Sequence, residues 1–175
     1  DWYYNDVLDA AQNGLFNGIT ESEFAPNANI TRAMLVTVLW RMENKPAVNY
    51  HMSFDDIDEG AYYAEAIRWA ASEKLVNGYS DTVFAPNDAI TREQFAAIMY
   101  RYAKNKGYDV TAGENTNILS YSDYDAISEY AIEAMQYTLG SGLIKGRTET
   151  TLNPKDNTTR AEMATILYRF FTEGK

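Results

Sequence analysis

The sequence predicts an all-α fold made of three helix–loop–helix repeats, and three observations carry that expectation. A frame of glycine, proline and arginine recurs as Gly18, Pro26, Arg32, then Gly78, Pro86, Arg92, then Gly146, Pro154, Arg160, with offsets of 60 and 68 residues at every anchor. Constant offsets at separate anchors mark an internal repeat. After each Thr-Arg pair comes an apolar stripe at i, i+3, i+4 and i+7, the signature of one buried helix face. A shorter stripe of the same period precedes each glycine loop. A two-helix unit cannot bury its apolar faces alone. Three can, either by stacking as a solenoid or by closing around a pseudo-threefold axis. The long loop in each unit fits poorly with stacks whose connections are short.

The first helices carry Val7, Ala10, Ala11 and Gly14, then Ile67, Ala70, Ala71 and Lys74, then Met135, Thr138, Leu139 and Gly142. Glycine in the last position suits a left-handed residue closing a helix, so Lys74 should carry a small backbone cost there. The second helices carry Leu35, Val38, Leu39 and Met42, then Phe95, Ile98, Met99 and Tyr102, then Met163, Ile166, Leu167 and Phe170. Thr31, Thr91 and Thr159 stand at the N-cap, where a hydroxyl can accept from orphan backbone N–H groups. Gln94 and Glu162 complete a capping box, whereas Met34 is expected to leave the first copy with the weakest helix start. The expected organisation is one domain over 1–175, with repeats 1–45, 53–106 and 120–173 joined by linkers 46–52 and 107–119. The eight extra residues between the second and third copies are expected in an exposed loop.

Composition narrows the functions. Fifteen basic against 25 acidic residues give a net charge of −10, which argues against nucleic acid or an anionic membrane as a non-specific partner. An anionic ligand must therefore be held by local groups. There is no cysteine, hence no disulfide framework and no cysteine-ligated zinc. No apolar run reaches membrane-spanning length. The sequence shows no signal peptide, so the expectation is either an intracellular protein or a processed fragment of a secreted one, and an opening partway into a repeat favours a fragment. The acidic knot Asp55, Asp56, Asp58 and Glu59 lacks the spacing of a calcium loop. His51 is the single histidine, and no nucleophile is paired with a base. The expectation is a protein without catalysis, cofactor or metal.

Arg32, Arg92 and Arg160 fall at the first helical position, where the macrodipole disfavours a cation by roughly 0.3–1 kcal/mol. Two readings stand on the residues alone. Free backbone N–H groups and a guanidinium together make an anion pocket for a carboxylate or phosphate. Alternatively, each arginine is bridged to an acid of a neighbouring repeat and holds the assembly together. Arg41, Arg101 and Arg169 recur later in the same helices and read as solvated arginines beside aromatics. Trp2, Tyr62 and Tyr130 align near the first-helix starts. They could stack on a sugar ring, but the residues alone favour a place in the core.

Taken together the pattern resembles the S-layer homology domain. The resemblance is carried by Phe54-Asp55-Asp56-Ile57, Tyr62-Tyr63-Ala64, Leu75-Val76-Asn77-Gly78-Tyr79, Phe84-Ala85-Pro86-Asn87, Ile90-Thr91-Arg92-Glu93 and Thr159-Arg160-Ala161-Glu162. It covers essentially the whole chain. It implies a pseudo-trimeric spindle with grooves between the repeats. It also implies an extracellular location on the bacterial cell wall and non-covalent binding of secondary cell-wall polysaccharide, often through a pyruvate-ketal N-acetylmannosamine, with surface-layer proteins as neighbours. The implied groove residues are Arg32, Arg92 and Arg160; Asp56 and Asp123; Trp2, Tyr62 and Tyr130; and Gly18, Gly78 and Gly146. The alternative is a structural module for self-assembly or protein contacts. Since the second copy keeps the capping box, Phe84-Ala85-Pro86 and the upstream aspartate, Arg92→Ala is expected to cost more affinity than Arg32→Ala. Replacing all three arginines by alanine is expected to abolish wall binding with little change in the melt.

Overall fold

The computed structural model describes residues 23–172. Within them the chain folds as α1 (Arg32–Met42), α2 (Ala64–Ser72), α3 (Arg92–Asn105), α4 (Ile132–Gly140) and α5 (Arg160–Thr172), with short 3-10 turns before α4. No named strand occurs among these residues, so the fold is all-α. The first helix of the first copy, with Val7, Ala10, Ala11 and Gly14, lies outside the described residues, as do Trp2 and Gly18.

α1, α3 and α5 follow the predicted stripes. Leu35, Leu39, Phe95, Met99, Tyr102, Met163, Leu167 and Phe170 are fully or almost fully buried, and Met42 is packed half-buried beside them. Burying each such side chain contributes roughly 1.5–3 kcal/mol. Each helix starts at its threonine, whose hydroxyl accepts the N–H three residues on: Met34 at 3.2 Å, Gln94 at 3.3 Å and Glu162 at 3.3 Å. The first copy corrects the expectation. The Met34 thioether accepts from the Thr31 N–H at 3.5 Å, so a box forms there with a weak sulfur acceptor.

α2 ends as the stripe suggested. Lys74 takes a left-handed φ of 57°, and its N–H and that of Leu75 return to Ala71 and Ala70. This is the Schellman closure, made here by a residue with a Cβ. Gly142 takes the same place after α4 with φ 72°. The 107–119 linker is not a free loop. Gly113 is buried against the backbone of Tyr137, and a Cβ added to Gly140 would lie 2.3 Å from the Ala112 carbonyl oxygen. The linker is thus docked on α4.

The segments ahead of the three second helices are tied in a closed cycle. The Ile30 N–H donates to Thr158, Thr158 to Ile90, and Ile90 back to Ile30, at 3.0, 2.9 and 3.0 Å. The next bonds repeat the cycle: Arg32 N–H to Asp88, Arg92 to Asp156 and Arg160 to Ala28, at 3.0, 2.9 and 2.9 Å. Ile30, Ile90 and Thr158 are buried at this junction, where the first two offer a methyl branch and the third an orphan hydroxyl. Backbone N–H groups that begin a helix have no partner within it. Here each helix start finds carbonyls in the following repeat, and so sets where its arginine goes.

Candidate functional site

The loops before the helices are held by the aspartates. Asp56 accepts the N–H of Phe84 at 2.9 Å and of Ala85 at 2.6 Å, and Asp123 accepts those of Leu152 at 2.8 Å and Asn153 at 2.7 Å. Ala85 and Asn153 sit at left-handed φ values of 58° and 51°, a conformation costing roughly 1–2 kcal/mol for a residue with a Cβ. Each carboxylate spends both oxygens on steadying that turn. Gly78 and Gly146 serve a second turn: an added Cβ would lie 2.3 Å from the Ser80 carbonyl oxygen in one and 2.4 Å from that of Thr148 in the other.

The helix-start arginines cross into the next repeat. Arg32 Nε donates to the Phe84 carbonyl at 2.9 Å and Nη2 to that of Asn77 at 2.8 Å. Arg92 Nε donates to Leu152 at 3.0 Å and Nη2 to Lys145 at 2.6 Å. Arg160 Nε donates to Phe24 at 2.7 Å, closing the cycle. The three are only 5%, 5% and 6% exposed, and burial pulls each pKa below the ordinary arginine value. Their partners are chiefly backbone carbonyls, which neither reading of the residues had foreseen. Arg92 also meets a side chain, its Nη1 lying 3.1 Å from Glu162 Oε1.

Among the described residues, cavities lie where Arg32 and Arg92 land. The first, of about 480 Å³, takes Arg32 from the first repeat, Gly78, Tyr79, Gln94 and Arg101 from the second, and Tyr130 from the third. One cavity thus draws on all three repeats, whereas the sequence assigned residues copy by copy. The second, of about 450 Å³, holds Arg92, Gly146, Arg147, Glu162 and Arg169 in the matching register. In the first, the Arg32 guanidinium lies 4.6 Å from the Tyr79 ring centre and 4.5 Å from that of Phe84. Gln94 shares its amide between the Thr91 N–H at 3.1 Å and the Tyr79 hydroxyl at 3.3 Å. In the second, Glu162 stands for Gln94 and Arg147 for Tyr79, and the two pair at 2.6 Å.

Of the aligned aromatics, the two within the described residues are not core plugs. Tyr62 is 59% and Tyr130 55% exposed. Tyr130 borders the first cavity and donates its hydroxyl to Glu93 at 3.2 Å. Tyr62 lies near Arg41, apart from both cavities, and packs edge-on against Tyr63. Of the later arginines, Arg41 is exposed as expected, whereas Arg101 and Arg169 are partly buried. Arg101 is half-buried, desolvation lowers its pKa, and it and Arg169 line corresponding walls. Their shared register in the sequence was the available signal. Tyr79, Gln94 and Glu93 were missed as site residues, and Glu93 is the odd member of a set otherwise filled by Ala33 and Ala161. Among the described residues no cluster of His, Cys, Asp or Glu is placed to hold a metal ion, and no helix is long and apolar enough to cross a membrane.

Comparison with known proteins gives relatives with varied names. The chain is 32% identical over 170 residues to an amylopullulanase of Thermoanaerobacterium thermosulfurigenes, covering 96% of this chain and 9% of that protein. It is 27% identical over 155 residues to a cellulosome-anchoring protein of Acetivibrio thermocellus, covering 86% of this chain and 34% of the relative. It is 29% identical over 117 residues to a surface-layer 125 kDa protein of Lysinibacillus sphaericus, covering 59% and 9%. The chain therefore spans a small part of each of these relatives. The family model described as S-layer homology domain matches at 1–33, 53–96 and 120–164, in register with the three Thr-Arg helices. With the repeat matched three times over, the chain belongs to the S-layer homology domain family.

Proposed function

We propose that the chain is a non-catalytic module that anchors its parent protein to the bacterial cell wall by binding an anionic secondary polysaccharide, and that the first cavity is its principal seat. Family membership and the names of the anchoring and surface-layer relatives support the anchoring reading. The observation that carries the choice of cavity is the state of Arg32. Its Nε and Nη2 are spent on the Phe84 and Asn77 carbonyls, while Nη1 has no hydrogen bond among the described residues and the side chain borders the cavity. That leaves a charge-assisted donor, with Arg101 on a neighbouring wall, for the carboxylate of a pyruvate-ketal amino sugar. Tyr79 and Tyr130 offer ring faces to the apolar side of the sugar. The ranking expected from the sequence is reversed: Arg32, not Arg92, faces the competent groove, because each arginine serves the loop of the repeat after its own.

The structural reading holds for Arg92. All three of its guanidinium nitrogens are engaged, two by backbone carbonyls and one by Glu162, so it acts as a clamp between the second and third repeats.

Co-sedimentation with wall sacculi, before and after the secondary polymer is stripped, tests the anchoring. Retention that depends on the polymer and is lost in Arg101→Gln supports the reading. Retention indifferent to stripping would leave the structural role alone. Because the helix-start arginines are buried and bonded, their alanine variants are unsuited to this test. Their replacement is expected to lower the melt as well, because each breaks bonds between repeats.

A further inference from the structure

We propose that Glu93 is a positioning residue of the first cavity, fixing the Tyr130 ring as a sugar-stacking wall by accepting its phenolic hydrogen bond. The inference rests on the reading of that cavity as the glycan seat.

Glu93 occupies the second position of α3, where α1 and α5 have the buried alanines Ala33 and Ala161. It is itself only 3% exposed. A carboxylate put in place of alanine at a buried site is costly unless its oxygens are satisfied. They are satisfied from one direction. Oε1 accepts the Tyr130 hydroxyl at 3.2 Å, the Ser128 hydroxyl at 2.9 Å and the Lys155 ammonium at 2.5 Å. Oε2 accepts the Ser128 N–H at 2.9 Å. Every donor belongs to the third repeat; Ser128 precedes, and Tyr130 lies within, the 3-10 turn that leads into α4.

A clamp between repeats needs only Lys155 and Ser128. The bond to Tyr130 does something else: it restrains a half-exposed side chain that borders the cavity. Tyr62, in the equivalent place of the second repeat, is steadied by a ring contact with Tyr63 at 5.1 Å instead. The surroundings of the Tyr130 hydroxyl agree with this placement. Burial first, then the charge and hydrogen bond of Glu93, push its pKa up to about 12, against the opposing pull of Arg101 and Arg32. A ring held before the ligand arrives spends less of the contact energy on ordering.

The test uses the full chain and the methyl glycoside of pyruvate-ketal N-acetylmannosamine, titrated calorimetrically. Tyr130→Phe, which removes only the hydroxyl, and Glu93→Ala should each weaken binding by roughly three- to tenfold, with no further loss in the double variant. Glu93→Gln, which keeps an acceptor, should restore most of the affinity and covers the case in which Glu93→Ala fails to fold. Carbon-13 tyrosine spectra should show the Tyr130 titration falling from about 12 toward the ordinary phenol value in Glu93→Ala. Full affinity in Tyr130→Phe, or additive losses in the double variant, would overturn the positioning role. If Arg101→Gln also leaves binding intact, the cavity itself has been misread. If Arg101→Gln abolishes binding while the Glu93 variants do not, only the positioning role falls.

Discussion

The two cavities share a register and an architecture, yet their arginines end in different states. Arg32 faces Gln94 and Tyr79, while Arg92 faces Glu162 and Arg147. The amide of Gln94 is turned to the helix cap and to Tyr79, so it leaves the Arg32 Nη1 alone. The carboxylate of Glu162 caps its helix as well, accepting the Thr159 N–H at 2.9 Å, but keeps an oxygen for Arg92 and Arg147. A change from amide to acid at one capping position therefore separates an arginine whose Nη1 is unbonded from one that clamps two repeats. The second cavity stays cationic through Arg147 and Arg169, but every nitrogen of its helix-start arginine already carries a bond to the protein.

The largest expected effect lies on the clamp. Arg92→Ala breaks a buried ion pair and orphans two carbonyls, and should lower unfolding free energy by about 3 kcal/mol in denaturant titration. A loss below about 1 kcal/mol would show that the second cavity does not depend on it. Next, Arg101→Gln should weaken binding of the ketal amino sugar by about tenfold or more, with the melt unchanged, since its one backbone bond is long at 3.4 Å. Arg169→Gln, the matching change in the second cavity, should cost clearly less in the same calorimetric titration. Equal losses would erase the distinction between the cavities.

A smaller effect sharpens the comparison inside the helices. Thr165 borders the second cavity where Ala97 borders the first, and its buried hydroxyl has no partner. Thr165→Val should raise stability by about 1 kcal/mol by removing that unpaired group. The smallest effect is on pH. Burial alone would raise the Glu93 pKa, but the hydrogen bonds from Lys155 and Ser128 outweigh it and hold the value below the usual 4.5. A depressed carboxylate stabilises the fold above its unfolded pKa and loses that contribution as pH falls through the folded value. Stability should thus decline below about pH 4.5 with a slope that Glu93→Gln lessens, as acid denaturation midpoints would record.

Much of the fold was legible because it is local. A helix stripe, a threonine cap and a left-handed closing residue each involve groups within a few residues of one another, so Leu35, Phe95 and Met163 could be placed in the core and Lys74 in its strained turn. The site was legible only in its parts. Arg32, Gly78 and Tyr130 were singled out, but as members of three separate copies. The resemblance puts Asp56 and Asp123 in the grooves, and nothing local shows that their oxygens meet backbone N–H groups almost thirty residues away. Arg101 was passed over because a side chain beside an aromatic looks alike in sequence whether it faces a cavity or open solvent.

By itself, then, the sequence determined the repeat, the helices and the kinds of side chain brought to each helix start. The tertiary structure decided which repeat each arginine serves and how many of its donors remain. The reason is physical. A guanidinium offers five N–H groups, and its chemistry depends on which acceptors surround it. Here those acceptors are chiefly carbonyls of the following repeat, joined at Arg92 by the Glu162 carboxylate, and they are delivered by a cycle of backbone bonds that closes only when the first, second and third segments meet.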